Sequence, residues 1–223
     1  MTDILFGIYG AGGHGREILP FAIAQLEKSN VSLDRLCFID DATPERLIND
    51  VAVLTLTEFL SVDAAEKRVA VTMGNSAARQ AATSRIAAHG ITPWSVTAAT
   101  AVVLSHSQIG QGAVLSSFVY VGPNVRIGTG FQANTRSHVS HDCVIEDFVT
   151  LAPGAICNGN VHVRAHAYIG AGALIRQGAA GRPLVIGAHA VVGMGAVVID
   201  DVPPLATVVG NPARILEKRS TQP

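Results

Sequence analysis

An aliphatic residue opens nearly every block of six residues through the second half of this 223-residue chain. Other residues stand at three of these positions, Thr97, Ala133 and Cys157, and five extra residues at Gly181–Val185 shift the series once. A period of six is neither the helical nor the simple strand period, and it is typical of a parallel β-helix built from hexapeptide turns. Because three hexads close one triangular coil, we expect between five and six coils in which residues 18 apart stack. The aliphatic positions are Val103, Ile109, Leu115, Val121, Ile127, Val139, Ile145, Leu151, Val163, Ile169, Ile175, Ile186, Val192 and Val198.

Residues 1–95 show a different pattern, in which short apolar strands alternate with segments of helical spacing. This alternation predicts a small parallel sheet with helices on its faces. We therefore divide the chain into an α/β half-Rossmann-like domain (1–95), an all-β parallel β-helix of hexapeptide repeats (96–202) and a C-terminal tail (203–223). The predicted strands and helices of the first domain are Ile4–Tyr9, Arg16–Lys28, Leu36–Ile39, Val51–Leu54, Val69–Met73 and Ala77–Ala88.

The composition limits the possible partners and compartments. The formal net charge is −1, so no strong field draws the chain to nucleic acid or to an anionic membrane surface. No apolar run approaches the roughly 18 residues that cross a bilayer, and the N-terminus lacks the basic region of a signal peptide. The three cysteines are scattered without a CxxC pair, which favours a reducing, cytoplasmic setting.

A glycine-rich turn follows the first predicted strand. Gly10–Gly15 satisfies the pattern G-x-G-x-x-G directly before a helix, where backbone N–H groups and the helix dipole favour a phosphate. Asp40 ends the next strand, where an acidic residue often binds a ribose hydroxyl or a base edge. Nucleotide binding is the favoured interpretation. A domain of 95 residues with no hydride-transfer domain after it argues against NAD chemistry, and a tight turn without a ligand remains the alternative.

Six of the eight histidines lie in the predicted β-helix, which raises the question of zinc. Gamma-type carbonic anhydrases are trimeric β-helix proteins that hold zinc through histidines, and zinc needs about three converging ligands. No two of these histidines are 18 residues apart, so they do not stack on neighbouring coils. We therefore expect no metal, although a site across a subunit interface stays open. The six are His106, His138, His141, His162, His166 and His189.

His141 and Asp142 are the one histidine and carboxylate that are adjacent in the sequence of the repeat region. A carboxylate beside an imidazole fixes its tautomer and raises its basicity, which suits a general base. Neighbours on an extended strand point to opposite faces, but at a β-helix corner they can converge. Asn124 and Asn160 fall one coil to either side of Asp142, so we expect polar side chains next to its carboxylate. On the residues alone, a catalytic base and a surface histidine remain equally good interpretations.

Three further segments, taken in order, identify a resemblance. They are Tyr9–Gly15, Ser140–Ile145 and Val209–Arg214, with the hexapeptide repeat between the first and the last. Together they resemble the bacterial nucleotide-sugar acetyltransferases of the sialic-acid O-acetyltransferase and bacillosamine-pathway type. The resemblance implies a left-handed β-helix, a homotrimer, acetyl-CoA in the groove between neighbouring β-helices and a nucleotide sugar held by the N-terminal domain.

The resemblance also implies roles for particular residues. His141 matches the proposed base and Asp142 its acidic partner. Ala171 and Met194 fall where relatives line the coenzyme groove, and Thr150 stands where some relatives carry a second histidine that contacts acetyl-CoA. The residues that match the nucleotide-sugar pocket are Gly12, Gly13, His14, Gly15, Asp40, Asp41, Gly74 and Asn75.

The activity implied is direct transfer of acetyl from acetyl-CoA to the C4 amine of a nucleotide-linked 4-amino-4,6-dideoxysugar, with a GDP-linked sugar favoured. No cysteine has a basic partner in the sequence that suggests an acetyl-enzyme intermediate. A UDP-4-amino-sugar N-acetyltransferase and a sialic-acid O-acetyltransferase are the alternatives within the family, and a zinc protein like the gamma carbonic anhydrases is the alternative outside it. We expect a role in O-antigen and lipopolysaccharide biosynthesis, and we expect the insertion at Gly181–Val185 to form a loop near the coenzyme groove.

Overall fold

The computed structural model describes residues 3–217, which fold into an α/β domain followed by a left-handed parallel β-helix. In the first domain a sheet of six strands has the order β3-β4-β2-β1-β5-β6, and every neighbouring pair except β3–β4 is parallel. Alternating strands and helices build such a sheet because each helix carries the chain back across a sheet face. The elements are β1 (Ile4–Tyr9), α1 (Gly13–Lys28), a 3₁₀ turn (Leu33–Arg35), β2 (Leu36–Ile39), β3 (Leu47–Ile48), β4 (Val51–Leu54), α2 (Leu56–Ser61), β5 (Glu66–Val71), α3 (Ser76–Ala88) and β6 (Thr92–Pro93).

The β-helix is a triangular prism whose three walls are parallel sheets, here named A, B and C in the order in which the chain visits them. Sheet A contains Val96–Thr97, Val114–Leu115, Gln132–Ala133, Thr150–Leu151, Tyr168–Ile169, Val191–Val192, Thr207–Val209 and the antiparallel Arg214–Ile215. Sheet B contains Val102–Val103, Tyr120–Val121, His138–Val139, Ile156–Cys157, Leu174–Ile175 and Val197–Val198. Sheet C contains Gln108–Ile109, Arg126–Ile127, Val144–Ile145, Val161–Val163 and Leu184–Ile186.

The predicted register is confirmed residue by residue. Strand partners such as Leu115 and Ala133, or Val121 and Val139, lie 18 positions apart. From Leu115 onward the first residue of each hexad is buried in one continuous core, whereas Thr97 and Val103, at the open first coil, are exposed. After the insertion the offset becomes 23, as in the pairing of Val163 with Ile186. The projecting turn is closed by Ala179 and Arg182, whereas Leu184 and Val185, the last two residues of the predicted insertion, already belong to sheet C.

The two domains pack together along sheet A. Trp94, Val96 and Val114 belong to the same buried cluster as Phe6 and Ile18, so the first coils of the prism complete the core under helix α1. Gln132, farther along sheet A, donates its side-chain amide to the Val71 carbonyl at the end of β5. The N-terminal domain therefore covers the outer face of sheet A from Val96 to Thr150, whereas Tyr168 and Val191 on the same face are exposed.

The predicted elements of the first domain are present with shifted ends, and some elements lay outside the prediction. Helix α1 begins at Gly13, inside the glycine turn, and β5 begins at Glu66. Helix α2 was not predicted, although Thr55 and Glu58 carry the T-x-x-E capping signature and form that box in the structure.

The C-terminal segment also differs from the predicted tail at 203–223. Thr207–Val209 extends sheet A, and Val208 is buried in the prism core, because an aliphatic side chain can still cap the last coil. Residues 218–223 of that predicted tail lie outside the described residues. Within residues 3–217, no helix combines the length and apolarity needed to cross a bilayer.

Candidate active site

His141 and Asp142 occupy the corner between sheets B and C. The His141 Nδ1 atom lies 2.7 Å from Asp142 Oδ2, so the two neighbours are in direct contact. Asp142 has a φ of 57°, and this left-handed conformation folds its carboxylate back toward the preceding side chain. Asn124 and Asn160 share the conformation at equivalent corners, as expected for the residue types that tolerate it best. The corner geometry thus produces a contact that an extended strand would prevent.

Hydrogen bonds hold the carboxylate in its charged form. The His141 and Asn124 side chains both bond to Asp142 and lower the pKa of its carboxyl group. An ionised carboxylate only accepts hydrogen bonds, so in neutral His141 the Nδ1 atom carries the proton and Nε2 presents a lone pair. Nε2 has no hydrogen-bond partner among residues 3–217, and half of the side chain is exposed. The pair thus presents an oriented acceptor nitrogen, His141 Nε2, to solvent.

The imidazole rests on Gly159, one coil farther along the same corner. A Cβ atom built on Gly159 would lie 2.5 Å from both Cε1 and Nε2 of His141. Real Cβ atoms do not approach so closely, so only glycine lets the ring lie flat against the next coil. Asn160 adds a backbone bond, donating its N–H to the His141 carbonyl at 3.1 Å. The His141 ring is therefore oriented both by Asp142 and by the absence of a side chain at 159.

The glycine turn joins β1 to α1 through close backbone contact. Gly10 has a φ of 111°, and a Cβ on Gly15 would overlap the Gly10 carbonyl oxygen. Gly12 caps the helix without a side-chain hydrogen bond, and Gly12 and Gly13 have no atom within 4 Å of an added Cβ. The helix therefore presents unobstructed backbone N–H groups, which is the arrangement that binds phosphate.

This turn lies at the point where the sheet order reverses. Strand β1 pairs with β2 on one side and with β5 on the other, so the chain segments after β1 and β5 diverge around a crevice. Gly12–Gly15 follows β1, and Gly74 and Asn75 follow β5, so all the predicted nucleotide residues stand at the carboxyl ends of neighbouring strands. Ligands of open α/β sheets bind at such a crevice.

Several of these predicted pocket residues also support the fold. Asp40 accepts hydrogen bonds from the N–H groups of Ala11, Ala42 and Thr43, which pins the glycine turn to the end of β2. Burial raises the pKa of the Asp40 carboxyl, but these three bonds lower it by more, so it stays ionised. Asp41 similarly accepts from the Leu56 N–H at 2.8 Å. Both carboxylates hold backbone segments in place, so only their remaining lone pairs are available to bind a ribose hydroxyl.

Asn75 and His14 complete the crevice. Asn75 caps α3 by accepting a hydrogen bond from the Ala78 N–H at 2.9 Å, which leaves its amide NH₂ unused. Burial lowers the pKa of His14, so its ring is neutral at pH 7 although Nδ1 lies 3.6 Å from Glu17. The buried Nε2 atom of His14 has no hydrogen-bond partner within the described chain. It is a free polar group at the edge of the predicted phosphate site.

The three residues predicted to contact the coenzyme do not lie together. Ala171 and Met194 stack at the corner between sheets A and B, linked by a hydrogen bond from the Gly195 N–H to the Ala171 carbonyl, and Met194 is 82% exposed. Thr150 lies elsewhere, on the part of sheet A covered by the N-terminal domain. It is buried, and its hydroxyl accepts a hydrogen bond from Arg79 at 2.9 Å. In this structure the Thr150 hydroxyl serves the domain junction, and its coenzyme contact stays a prediction.

Arg79, on helix α3, is the principal feature that the sequence did not reveal. Its side chain is fully buried, and it donates hydrogen bonds across the domain junction without any carboxylate partner within residues 3–217. Burial lowers its pKa to about 10. The acceptors are the carbonyls of Met73, Gly74, Gly130 and Phe148 and the side chains of Gln132 and Thr150. Because these acceptors lie 5 to 71 positions away, no local pattern marks them.

One pair of histidines does stack, contrary to the prediction from the 18-residue spacing. The insertion of five makes the coil offset 23 at that point, so His166 and His189 lie with ring centroids 4.6 Å apart. Phe148 continues the column at 5.4 Å from His166. Two stacked rings are not a tetrahedral ligand set. Across residues 3–217, no group of three or more His, Cys, Asp or Glu side chains is placed to hold a metal ion.

Comparison with known proteins adds family information to this geometry. The family model described as the PglD N-terminal domain matches residues 6–86. The chain is 44% identical over 217 residues to GDP-perosamine N-acetyltransferase from Escherichia coli O157:H7, which covers 97% of this chain and 98% of that protein. The structure of WeeI from Acinetobacter baumannii AYE matches with a TM-score of 0.89 at 42% identity, covering 96% of this chain and all of that one. A histidine-to-alanine mutant of GDP-perosamine N-acetyltransferase from Caulobacter crescentus, in complex with CoA and GDP-perosamine, matches with a TM-score of 0.83 at 25% identity over 96% and 97% of the two chains.

Proposed function

The chain belongs to the bacterial nucleotide-sugar acetyltransferase family, and on that premise we propose that it transfers acetyl from acetyl-CoA to the C4 amine of a nucleotide-linked 4-amino-4,6-dideoxysugar. GDP-perosamine is the favoured acceptor, since the full-length relative at 44% identity carries that name. UDP-linked 4-amino sugars and the hydroxyl of a sialic acid are the alternatives. Cytoplasmic O-antigen biosynthesis is the proposed setting.

The observation that carries the proposal is the His141–Asp142 pair, with its bonded Nδ1 and its free Nε2. The sugar amine attacks the thioester carbonyl directly, and Nε2 accepts the proton that leaves the nitrogen as the C–N bond forms. The thiolate of coenzyme A is then the leaving group. Cys143 and Cys157 are both buried in the prism, and Cys37 is buried with its pKa raised to about 12, so none of the three is an available nucleophile.

The crevice at the carboxyl ends of β1, β2 and β5 is the proposed nucleotide-sugar site. The diphosphate binds at the open N-terminus of α1, beside Gly12 and Gly13. His14 and the free amide of Asn75 supply polar contacts, and Asp40 and Gly74 border the nucleoside. Because the N-terminal domain holds the nucleotide, the sugar alone extends toward the acetyl donor.

The positions of these groups support a homotrimer with shared sites. The N-terminal domain covers the first four strands of sheet A, whereas His141 lies at the corner between sheets B and C, on the opposite side of the same prism. Sheet B has an apolar outer face with exposed Val102 and Leu174. Packing sheet B of three copies around a common axis covers that face. It also brings the His141 corner of one copy beside the Met194 corner of the next, and acetyl-CoA occupies the groove between them.

A thiol-release assay tests the proposed activity. Acetyl-CoA is incubated with GDP-perosamine, the matching UDP-linked 4-amino sugars, and a sialic acid, and free thiol is measured over time. We expect turnover with the GDP-linked amine to exceed the others. If only the sialic acid supports turnover, the activity is O-acetylation and not N-acetylation. If none of the acceptors in the panel supports turnover, the proposal is refuted. Sedimentation of the same sample measures the oligomeric state separately.

A further inference from the structure

The contacts between the two domains change in character along sheet A. On the first two coils they are apolar, because Val96 and Val114 share one core with helix α1. On the next two coils they are polar and involve the side chains of Gln132 and Thr150. Tyr168, one coil beyond Thr150, is exposed. The polar contacts therefore lie at the end of the junction that is nearest to the proposed nucleotide-sugar crevice.

The Arg79 guanidinium group joins the crevice to the prism. Its Nη1 atom donates to the carbonyls of Met73 at 2.7 Å and Gly74 at 3.3 Å, in the loop after β5 that borders the crevice. On the prism side, Nε donates to the Gly130 carbonyl at 2.9 Å and Nη2 donates to the Phe148 carbonyl at 2.7 Å. One planar group thus connects the crevice loop to the corner between sheets C and A.

The hydrogen bonds of this group restrict the angle between the domains more strictly than apolar packing would. An apolar side chain can slide against the prism, whereas a guanidinium group holds its donors in fixed directions. Arg79 is fully buried and has no carboxylate partner within residues 3–217, so its orientation depends on the carbonyls on both sides. A buried polar network whose members are all bonded specifies one arrangement.

A small rotation of the N-terminal domain would displace whatever the crevice holds. Three strand spacings separate Val96 from Thr150, which is about 14 Å along the prism. If the domain rocked by about 4° around the apolar end of the junction, its crevice end would move by about 1 Å over that length. A misplacement of about 1 Å can lower a reaction rate by about 100-fold, because the reacting atoms must meet within a narrow range of distances and angles.

We propose that Arg79 is a positioning residue for acetyl transfer, which sets the angle of the N-terminal domain on its prism so that a bound nucleotide sugar presents its amine correctly. The inference rests on the proposed function, in which the N-terminal domain holds the nucleotide. The parallel strands of each prism hold the His141 corner in place, so the angle of the N-terminal domain determines how the sugar approaches the acetyl donor. Arg79 acts through the crevice loop and the prism and does not touch the substrate.

The test compares kinetics and nucleotide binding in full-length Arg79→Lys, Thr150→Val and Thr150→Ser. Lysine keeps the charge without the planar group, valine removes the Thr150 hydroxyl that accepts from Arg79 at 2.9 Å, and serine retains a hydroxyl. We expect kcat with GDP-perosamine to fall about 10- to 100-fold in Arg79→Lys and about 3- to 10-fold in Thr150→Val. Thr150→Ser should stay within about 2-fold of wild type, and in both Thr150 variants the GDP affinity measured by calorimetry should stay within about 3-fold.

Phe59→Leu is the matched control for stability. Phe59 is buried on helix α2, which packs against β4, so a smaller side chain there destabilises the N-terminal domain without removing a bond of Arg79. All variants are assayed at a temperature at which circular dichroism shows them folded. The kcat of Phe59→Leu should then equal that of wild type, because a loss of stability alone does not change the angle between the domains.

The outcomes separate positioning from a purely structural role. A kcat within about 2-fold of wild type in both Arg79→Lys and Thr150→Val would overturn the inference, as would an equal loss in Phe59→Leu. A raised KM for acetyl-CoA with unchanged kcat in Thr150→Val would assign the hydroxyl to the coenzyme and would also overturn it. If Arg79→Lys does not fold, the two Thr150 variants decide the matter. Wild type that releases no thiol with any nucleotide-linked amine would refute the proposed function itself.

Discussion

Arg79 is the residue whose removal should damage the fold most. Its burial costs free energy: lowering its pKa from 12.5 to about 10 corresponds to roughly 3 kcal/mol. The compensation is larger, because five hydrogen bonds of 2.7 to 3.1 Å leave the guanidinium, and each bond to a charged group is worth about 1.5 to 3 kcal/mol. These bonds connect helix α3 to two coils of sheet A and its adjoining corner. The guanidinium group thus joins the two domains with a net stabilising free energy.

Arg79→Met keeps the buried aliphatic stem and removes every donor. The carbonyls of Gly130 and Phe148 are then buried without a partner, as is the Thr150 hydroxyl. We expect a loss of about 3 to 5 kcal/mol, the usual cost of breaking a buried charged network by removing one member. For a chain of this size, that loss lowers the melting temperature by roughly 6 to 20 °C. Arg79→Lys retains the charge but not the planar guanidinium group, so its stability should lie between those of wild type and Arg79→Met.

Thermal and urea unfolding, followed by circular dichroism, measure this effect. Arg126→Met is the matched control, since Arg126 is exposed and should change stability by less than about 0.5 kcal/mol. A melting temperature for Arg79→Met within about 2 °C of wild type would refute the reasoning. It would mean that the desolvation cost of the guanidinium cancels its hydrogen bonds.

Three further predictions concern the base and the histidines. His141→Asn should lower kcat by less than the upper end of the range of about 10² to 10⁴ typical of general-base removal, because a sugar amine is partly neutral at pH 7 to 8 without help; loss of all measurable thiol release with unchanged substrate binding would contradict this. Gly159→Ala should displace the His141 ring and lower kcat while the melting temperature and the KM for the nucleotide sugar stay near wild type, and an unchanged kcat would refute the contact. Burial lowers the pKa of His138, so the unfolded chain takes up this proton first as the pH falls, and stability should decline from about pH 6.5 downward. His138→Phe should reduce that decline in urea titrations at pH 7 and pH 5, and an unchanged difference between the two would show that His138 does not contribute.

The repeat made the β-helix predictable almost to the residue. A hexad position that points into a narrow prism accepts only small or aliphatic side chains. The aliphatic series from Leu115 to Ile175 therefore predicts correctly which residues are buried. The strands of the first domain were predictable for a similar reason, since Ile4–Tyr9 and Leu36–Ile39 are apolar on both faces. Helix α2 was missed because its six residues are too few to show a period, and only its capping box marks it.

The site was predictable where it depends on local geometry and unpredictable where it depends on distant partners. The Asp142 contact follows from the left-handed corner that Asn124 and Asn160 share, a signal visible in the sequence once the coil length is known. Thr150 could not be placed in that way. The sequence does not tell whether a ligand or the N-terminal domain covers sheet A at Thr150. The hydrogen bond from Arg79, 71 positions earlier, places Thr150 at the domain junction.

The separation of the three corners leads to the prediction that one chain does not contain the complete proposed site. The B–C corner holds His141, the A–B corner exposes Met194, and the third corner accepts Arg79 from the N-terminal domain through Gly130 and Phe148. The three walls of the prism separate these corners, and the parallel strands of each wall fix their positions. A base and its proposed coenzyme contacts at different corners can meet only when a second copy presents its own corner. We therefore predict that the proposed activity depends on assembly, so that a substitution that weakens sheet B packing should lower turnover as a substitution at His141 does.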